Sequence, residues 1–190
     1  KFYRSNGDTA RQTQRLRVDA GATLEWLPQD NIVFPGAVVA SDTRIELHAS
    51  ARFIGWEVHC LGRPANHERF DQGQFRAQLQ LLRDGQPLLW ERLQVAAEPD
   101  LDALAGLRGH PVNATLVATG ADASLLEAIQ SNWSAIDSGG IGHTLLDDIL
   151  VSRLLCHSTE QTHRVLTAIW AWLRPRLLGR KACHPRIWST

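Results

Sequence analysis

The sequence predicts a mainly β fold whose helices are gathered toward the C-terminal end. Three observations lead to this prediction: polar and apolar residues alternate over several stretches, turn-forming residues separate those stretches, and a late segment repeats apolar residues at helical spacing. Strands in series followed by helices are not the pattern of alternating βαβ units. The strand pattern by itself does not distinguish a β-sandwich from a β-helix.

The first strands are short and end at chain-breaking residues. Gly21, Pro28 and Pro35 interrupt the N-terminal part of the chain. Around these breaks the sequence predicts three extended segments, at residues 15–18, 24–27 and 31–34.

The strands that follow show a period of two. Apolar residues recur at alternate positions of Thr43–Ala49 and Arg52–Leu61, which is typical of strands with one buried face. The alternation is clearest in Gln74–Leu81. Asp84-Gly85 then predicts a hairpin turn, because both residues tolerate positive φ, and Leu88–Val95 is its second strand.

Helical signals appear after residue 120. Asp122–Gln130 is predicted to be a short helix, with Ser124 and Glu127 at the spacing of a capping box. The apolar run Ile149–Cys156 favours another strand. The chain is therefore expected to be a single domain over residues 1–190, mainly β in 1–120 and helix-containing in 121–190.

A long amphipathic helix is predicted from Ser158, which has Gln161 at capping-box spacing. Its apolar stripe recurs at helical spacing and consists of Leu166, Ile169 and Leu173. Pro175 limits or kinks this helix, and Gly179 is a natural C-cap because glycine adopts positive φ without strain.

The composition is that of an ordinary globular protein, and it argues against two classes of partner. The 20 basic residues balance the 20 acidic ones, so we expect no general affinity for nucleic acid or for an anionic membrane. No segment approaches the roughly 18 apolar residues of a membrane span. Three scattered cysteines fit a reducing compartment, and we expect a cytoplasmic location.

Common catalytic and metal-binding motifs are missing from the sequence. There is no Gly-x-Ser-x-Gly elbow, and Gly139–Thr144 lacks the lysine of a phosphate-binding loop, so it is predicted to be a flexible turn. There is no Cys-x-x-Cys or His-x-x-x-His pair. His59 and Cys60 are neighbours on a predicted strand, point to opposite faces, and are not expected to share a metal. We therefore assign no catalytic residue and expect no tightly bound cofactor.

Two carboxylates occupy noteworthy positions in the strand pattern. Glu91 shares its strand face with Leu89 and Leu93, so the alternation places it among apolar side chains. Such a carboxylate needs an arginine partner, a proton, water or a cation. Glu57 lies opposite the apolar face of its strand and is, by pattern alone, a polar-face residue.

Several ordered segments are similar to those of one known family. They are Lys1–Ser5, Leu24–Ala37, Gly55–Pro64, Arg83–Leu93 and Pro185–Thr190. Together they resemble the urease accessory protein family UreD, called UreH in some organisms. The family has an N-terminal portion before the first of these segments, so the resemblance implies an N-terminally incomplete UreD-like chain.

The resemblance implies a non-enzymatic role in urease maturation. It also implies a helically wound, β-helix-like stack of β-sheets with two helices toward the C-terminus. Proteins of this kind bind the urease apoprotein and UreF directly, reach the GTPase UreG through UreF, and assist nickel delivery to the urease active site. Family proposals include a polar internal passage for nickel, and the matching acids here are Glu57 and Glu91. The resemblance makes both of them candidate weak nickel-transit residues and not a fixed site, because isolated oxygen ligands release nickel readily.

Two other functions stay open at this point. A metal-assisted hydrolase on a β scaffold needs ligands and a base that converge in one cleft. A β-rich binding module would use exposed tryptophans as stacking surfaces, and the chain has 7 tryptophans.

Overall fold

The computed structural model describes residues 1–137 and 139–189, without the side chains of residues 98, 99, 187 and 189. Ser138 and Thr190, the second of which ends the C-terminal motif, lie outside the described residues. In chain order the elements are β1 (Ala10–Val18), β2 (Thr23–Trp26), β3 (Asn31–Val33), β4 (Val38–Leu47), β5 (Arg52–Arg63), β6 (Glu68–Arg69), β7 (Gln74–Arg83), β8 (Gln86–Val95), α1 (Glu98–Asp102), β9 (Val112–Thr119), α2 (Ala123–Asn132), β10 (Gly140–Leu146), β11 (Ile149–Cys156) and α3 (Thr159–Leu178).

The strands form two stacked sheets. The smaller sheet has the order β1-β4-β7-β8, and the larger has the order β10-β11-β9-β5-β2, with β3 and β6 also paired to β5. The chain passes from β1 in one sheet to β2 and β3 in the other, then back to β4, across to β5 and back to β7. β1, β4 and β7 consequently lie parallel to one another, as β2 and β3 do to β5. The predicted mainly β, helically wound stack of sheets is confirmed.

Helix α3 covers the outer face of the larger sheet. Leu166, Ile169 and Leu173 are fully buried in one apolar cluster with Trp56 and Leu154 of the sheet. This confirms the predicted stripe, because an amphipathic helix is stabilised by burying its apolar face. No helix formed by the described residues is long and apolar enough to cross a bilayer.

The boundaries of α3 also agree with the prediction. The Ser158 hydroxyl accepts a hydrogen bond of 3.1 Å from the backbone N–H of Gln161, and Gly179 ends the helix in the left-handed conformation at φ 66°. Pro175 lies within the helix near its end. The hairpin at Asp84-Gly85 joins β7 to β8 as predicted.

Other boundary predictions were wrong in instructive ways. The N-cap of α2 is Asp122, whose carboxylate accepts from Leu125 N–H, and not Ser124. β4 ends at Leu47, so Ala49 is exposed in the following turn instead of facing the core. Gly140–Leu146 is strand β10 and not a flexible turn, because it pairs along its whole length with β11. At Gly139, just before β10, a Cβ would lie 2.5 Å from the carbonyl oxygen of Leu155, so only glycine fits.

Candidate functional site

A polar layer crosses the interior between the two sheets. On the smaller sheet, register places Gln14, Thr43, Leu79 and Glu91 side by side on β1, β4, β7 and β8. On the larger sheet, register likewise aligns Glu57, Thr115 and Arg153 on β5, β9 and β11. The two rows face each other, and hydrogen bonds join Thr43 to Glu57 and Arg153 to Glu91.

This layer opens into a cavity of about 100 Å³ that Glu57, His59, Glu91 and Arg153 help to line. Such a volume has room for a few water molecules or a partly hydrated cation. The two acids chosen from the sequence therefore line the same cavity. Whether either acid binds nickel stays a prediction at this point.

Glu57 is buried, with only 5% of its surface exposed. The pattern-based interpretation of Glu57 as an ordinary polar-face residue was wrong, because both faces of β5 are covered: α3 lies over one face and the smaller sheet over the other. The Thr43 hydroxyl lies 2.6 Å from one carboxylate oxygen of Glu57 and 3.0 Å from the amide oxygen of Gln14. A hydroxyl has one proton to donate, so Glu57 shares its donor with a competing acceptor.

His59 adds an imidazole next to this carboxylate. Its Nε2 lies 3.7 Å from the second carboxylate oxygen of Glu57, and its Nδ1 lies 3.5 Å from the side-chain nitrogen of Asn31. The ring packs against Phe75 with centroids 5.0 Å apart. As predicted, Cys60 points to the opposite face of β5 and belongs to the cluster under α3.

Glu91 lies nearer to solvent than Glu57. It forms an ion pair with Arg153, whose Nε donates at 3.2 Å to one carboxylate oxygen, and 28% of the Glu91 side chain is exposed against 6% for Glu57. Of the alternatives set out for Glu91, an arginine partner, a proton, water or a cation, the structure shows the arginine partner. The cavity leads from this partly exposed pair inward to Glu57 and His59.

The sequence interpretation missed the remaining polar members of the interior. Gln14 and Thr43 lie on the inward faces of β1 and β4, two residues from apolar inward neighbours. Ser41, also inward on β4, is buried, and its Oγ makes no hydrogen bond to any described residue. Polar side chains at inward positions of several strands were the available signal, and parallel stacking of the strands is what brings them together.

The site offers isolated ligands instead of a finished metal centre. Among the described residues, no three His, Cys, Asp or Glu side chains are grouped so that they could hold a metal ion. A catalytic zinc or similar ion usually takes three protein ligands, so the hydrolase alternative gains no support from this geometry. Burial raises the pKa of Cys60 to about 12, which keeps it a protonated thiol and a poor ligand.

A second cleft lies at the end of β5. It has a volume of about 290 Å³ and is lined in part by His67, His110 and His157. The rings of His110 and His157 pack together with centroids 4.6 Å apart, and these histidines do not form a three-ligand group. The binding-module alternative gains little support, because Trp56 and Trp170 are core residues and Trp90 is the one exposed tryptophan among the described residues.

Comparison with known proteins adds a clear relationship. A family model described as UreD urease accessory protein matches residues 1–189. A protein of Alcanivorax borkumensis named urease accessory protein UreD is 48% identical over 192 residues, covering 100% of this chain and 65% of that protein. Proteins of the same name from Pseudomonas putida strain W619 and Pseudomonas entomophila are 46% and 45% identical, with 67% of each protein covered. The chain spans about two thirds of the length of these curated relatives.

Proposed function

This chain belongs to the UreD family of urease accessory proteins, and on that premise we propose that it is a maturation factor of nickel urease. The family is one of accessory proteins and not of catalytic enzymes. In this proposal the protein acts in the cytoplasm as a scaffold. It binds the urease apoprotein and UreF directly, recruits UreG through UreF, and assists nickel delivery to the urease active site.

The observation that supports the nickel step is the placement of Glu57 and Glu91 at two depths of one cavity. A cation in transit needs ligands strong enough to draw it from water and weak enough to release it. A buried carboxylate that shares its single hydroxyl donor, with an imidazole nearby, can accept a cation without losing a complete set of hydrogen bonds.

Arg153 has a defined part in this proposal. Its guanidinium forms an ion pair with the carboxylate of Glu91, so a cation that binds Glu91 must first displace Arg153. The Arg153 side chain is 40% exposed, which leaves it free to swing toward solvent. Glu91 and Arg153 would then control access from the partly exposed end of the cavity to Glu57.

The maturation role is tested by deleting the gene in its host and measuring urease activity and urease-bound nickel, with nickel added to the medium. We expect loss of both, and restoration by the complete gene. Normal nickel loading of urease in the deletion strain would refute the proposal, as would failure of the complete protein to co-purify with UreF or urease.

The transit step is tested by complementing the same strain with E57Q and E91Q variants. Both substitutions keep the side-chain shape and remove the charge, so we expect urease nickel content to fall while the accessory complex still assembles. E127Q, on the exposed surface of α2, is the matched control and should restore full loading. Full loading by both interior variants would exclude these acids from nickel transfer and leave the scaffold role intact.

A further inference from the structure

The outward face of the smaller sheet is strongly basic. Strand alternation turns six arginines to this side, which we call the arginine face: Arg11, Arg15 and Arg17 of β1, Arg44 of β4, Arg76 of β7 and Arg92 of β8. Only two acids, Asp42 and Glu46, share this face among the residues of the four strands. The chain as a whole has a formal net charge of +0, so the excess of positive charge is confined to this face.

Strand register places like charges next to one another on this face. Arg15 lies directly opposite Arg44 in the parallel β1–β4 pair. Arg92 lies opposite Gln78, which makes it a diagonal neighbour of Arg76. Neighbouring strands are about 4.8 Å apart, and like charges at such positions destabilise a sheet. Sheet formation alone therefore gives no reason for this arrangement.

The two acids form ion pairs on only one half of the arginine face. A carboxylate oxygen of Asp42 lies 3.9 Å from Nη1 of Arg15, and one of Glu46 lies 2.6 Å from Nε of Arg44. On the β7–β8 half, Arg76 and Arg92 have no carboxylate within salt-bridge distance among the described residues. The guanidinium of Arg92 instead lies over the ring of Trp90, 4.5 Å from its centroid. This half of the face presents unneutralised donors to solvent.

A shallow depression of about 290 Å³ lies on the same sheet. Its lining includes Arg11, Arg76 and Arg92, together with the amide side chains of Gln78 and Gln94. Guanidinium groups bind carboxylates with two parallel hydrogen bonds, and amide groups add further donors. The depression is thus suited to one or two carboxylate side chains.

We propose that the arginine face is a docking surface for a carboxylate-rich surface of a partner protein. Charge complementarity supports a protein partner over nucleic acid. Nucleic-acid-binding domains are usually strongly basic, whereas this chain has a pI of about 7.3. The proposal rests on the proposed function only in taking the urease apoprotein as the first partner.

The test compares charge reversals on two surfaces. The variant R76E/R92E changes the arginine face, and R108E/R164E makes the same change of charge at exposed arginines elsewhere. Circular dichroism and the thermal midpoint check that each variant is folded. Binding is measured by surface plasmon resonance at 50 and 300 mM salt. The immobilised probes are the urease apoprotein, a 12-residue oligoglutamate peptide and a 12-base-pair DNA duplex.

We expect R76E/R92E to bind the apoprotein and the peptide at least about tenfold more weakly than R108E/R164E at low salt, because electrostatic steering is lost. The difference should shrink at high salt, where charges are screened. Binding of the wild-type protein to the peptide but not to the apoprotein supports the arginine face and contradicts urease as its partner. Equal binding of the apoprotein by both variants keeps the maturation role and overturns the docking surface, as does tighter binding of DNA than of the peptide. No binding of wild type to any probe overturns the docking surface.

Discussion

The ion pair between Glu25 of β2 and Arg174 of α3 fastens the helix to the larger sheet, and we expect its removal in E25Q to destabilise the protein. Arg174 donates from Nε and Nη2 to the two carboxylate oxygens of Glu25, each at 2.9 Å. The indole N–H of Trp170 donates to the same carboxylate at 2.7 Å. Both charged side chains are mostly buried, with 20% of Glu25 and 16% of Arg174 exposed.

The expected loss of unfolding free energy in E25Q follows from these contacts. Hydrogen bonds to charged groups contribute about 1.5–3 kcal/mol each. Glutamine keeps one oxygen that can accept from Trp170, but it turns an amide N–H₂ toward the Arg174 guanidinium. Since water can reach part of Arg174, we expect a loss of about 2 kcal/mol, below the 3–5 kcal/mol of a fully buried broken pair. For a chain of this size that corresponds to a fall in Tm of about 4–8 °C.

The loss of stability in E25Q should also depend on pH. Burial opposes ionisation of Glu25, but the hydrogen bonds and charge of Arg174, with the Trp170 hydrogen bond, outweigh it and hold the pKa of Glu25 below its ordinary 4.5. A carboxyl whose pKa is lowered on folding contributes stability above its unfolded-state pKa and loses that contribution as pH falls through the folded pKa. The gap between wild type and E25Q should be constant near pH 7 and narrow below pH 4.5.

Urea unfolding followed by tryptophan fluorescence, at several pH values, measures both effects. E127Q on the exposed surface of α2 is the control and should unfold with the wild-type midpoint. Equal midpoints of E25Q and wild type at pH 7 would refute the reasoning. So would a gap that stays unchanged as the pH falls to 3, because it would arise from packing and not from the charge of Glu25.

Two further predictions concern the cysteines and the polar layer. Cys183 is exposed, whereas Cys60 and Cys156 are buried and burial raises the pKa of Cys60 to about 12. A thiol reagent should therefore modify one cysteine per native chain at pH 8 and three after unfolding. Modification of more than one cysteine in the native protein would contradict this prediction. T43V removes the hydroxyl that donates to Glu57 and should cost about 1–3 kcal/mol, whereas T13V on the outward face of β1 should cost little; equal losses in urea unfolding would count against an interior role for this hydroxyl.

Local signals in the sequence predicted the parts of the fold that depend on near neighbours. The alternation of Gln74–Leu81 and the Asp84-Gly85 turn gave the β7–β8 hairpin. The Ser158 cap and Gly179 gave the two ends of α3. In each case the residues that determine the structure lie within a few positions of one another, so their pattern is visible along the chain.

Structure that depends on distant residues was missed. β9 is a central strand with both neighbours far away in sequence, and it was not predicted although apolar and polar residues alternate along Val112–Thr119 except at Val117. Glu57 is buried because a second sheet covers its face of β5, and nothing near Glu57 in sequence indicates that sheet. The prediction of helically wound, parallel strands came from the family resemblance, because the alternation of a β-strand is the same in a β-helix and in a β-sandwich.

The polar layer also affects the register in which the strands of the two sheets align with one another. A strand that slips by two residues keeps the same face inward, so an apolar interior of Val, Ile and Leu would penalise the slip weakly. In this protein such a slip would move Glu57 away from Thr43, or Glu91 away from Arg153, and leave a charge against apolar side chains. The layer therefore favours one register between the strands of the two facing sheets.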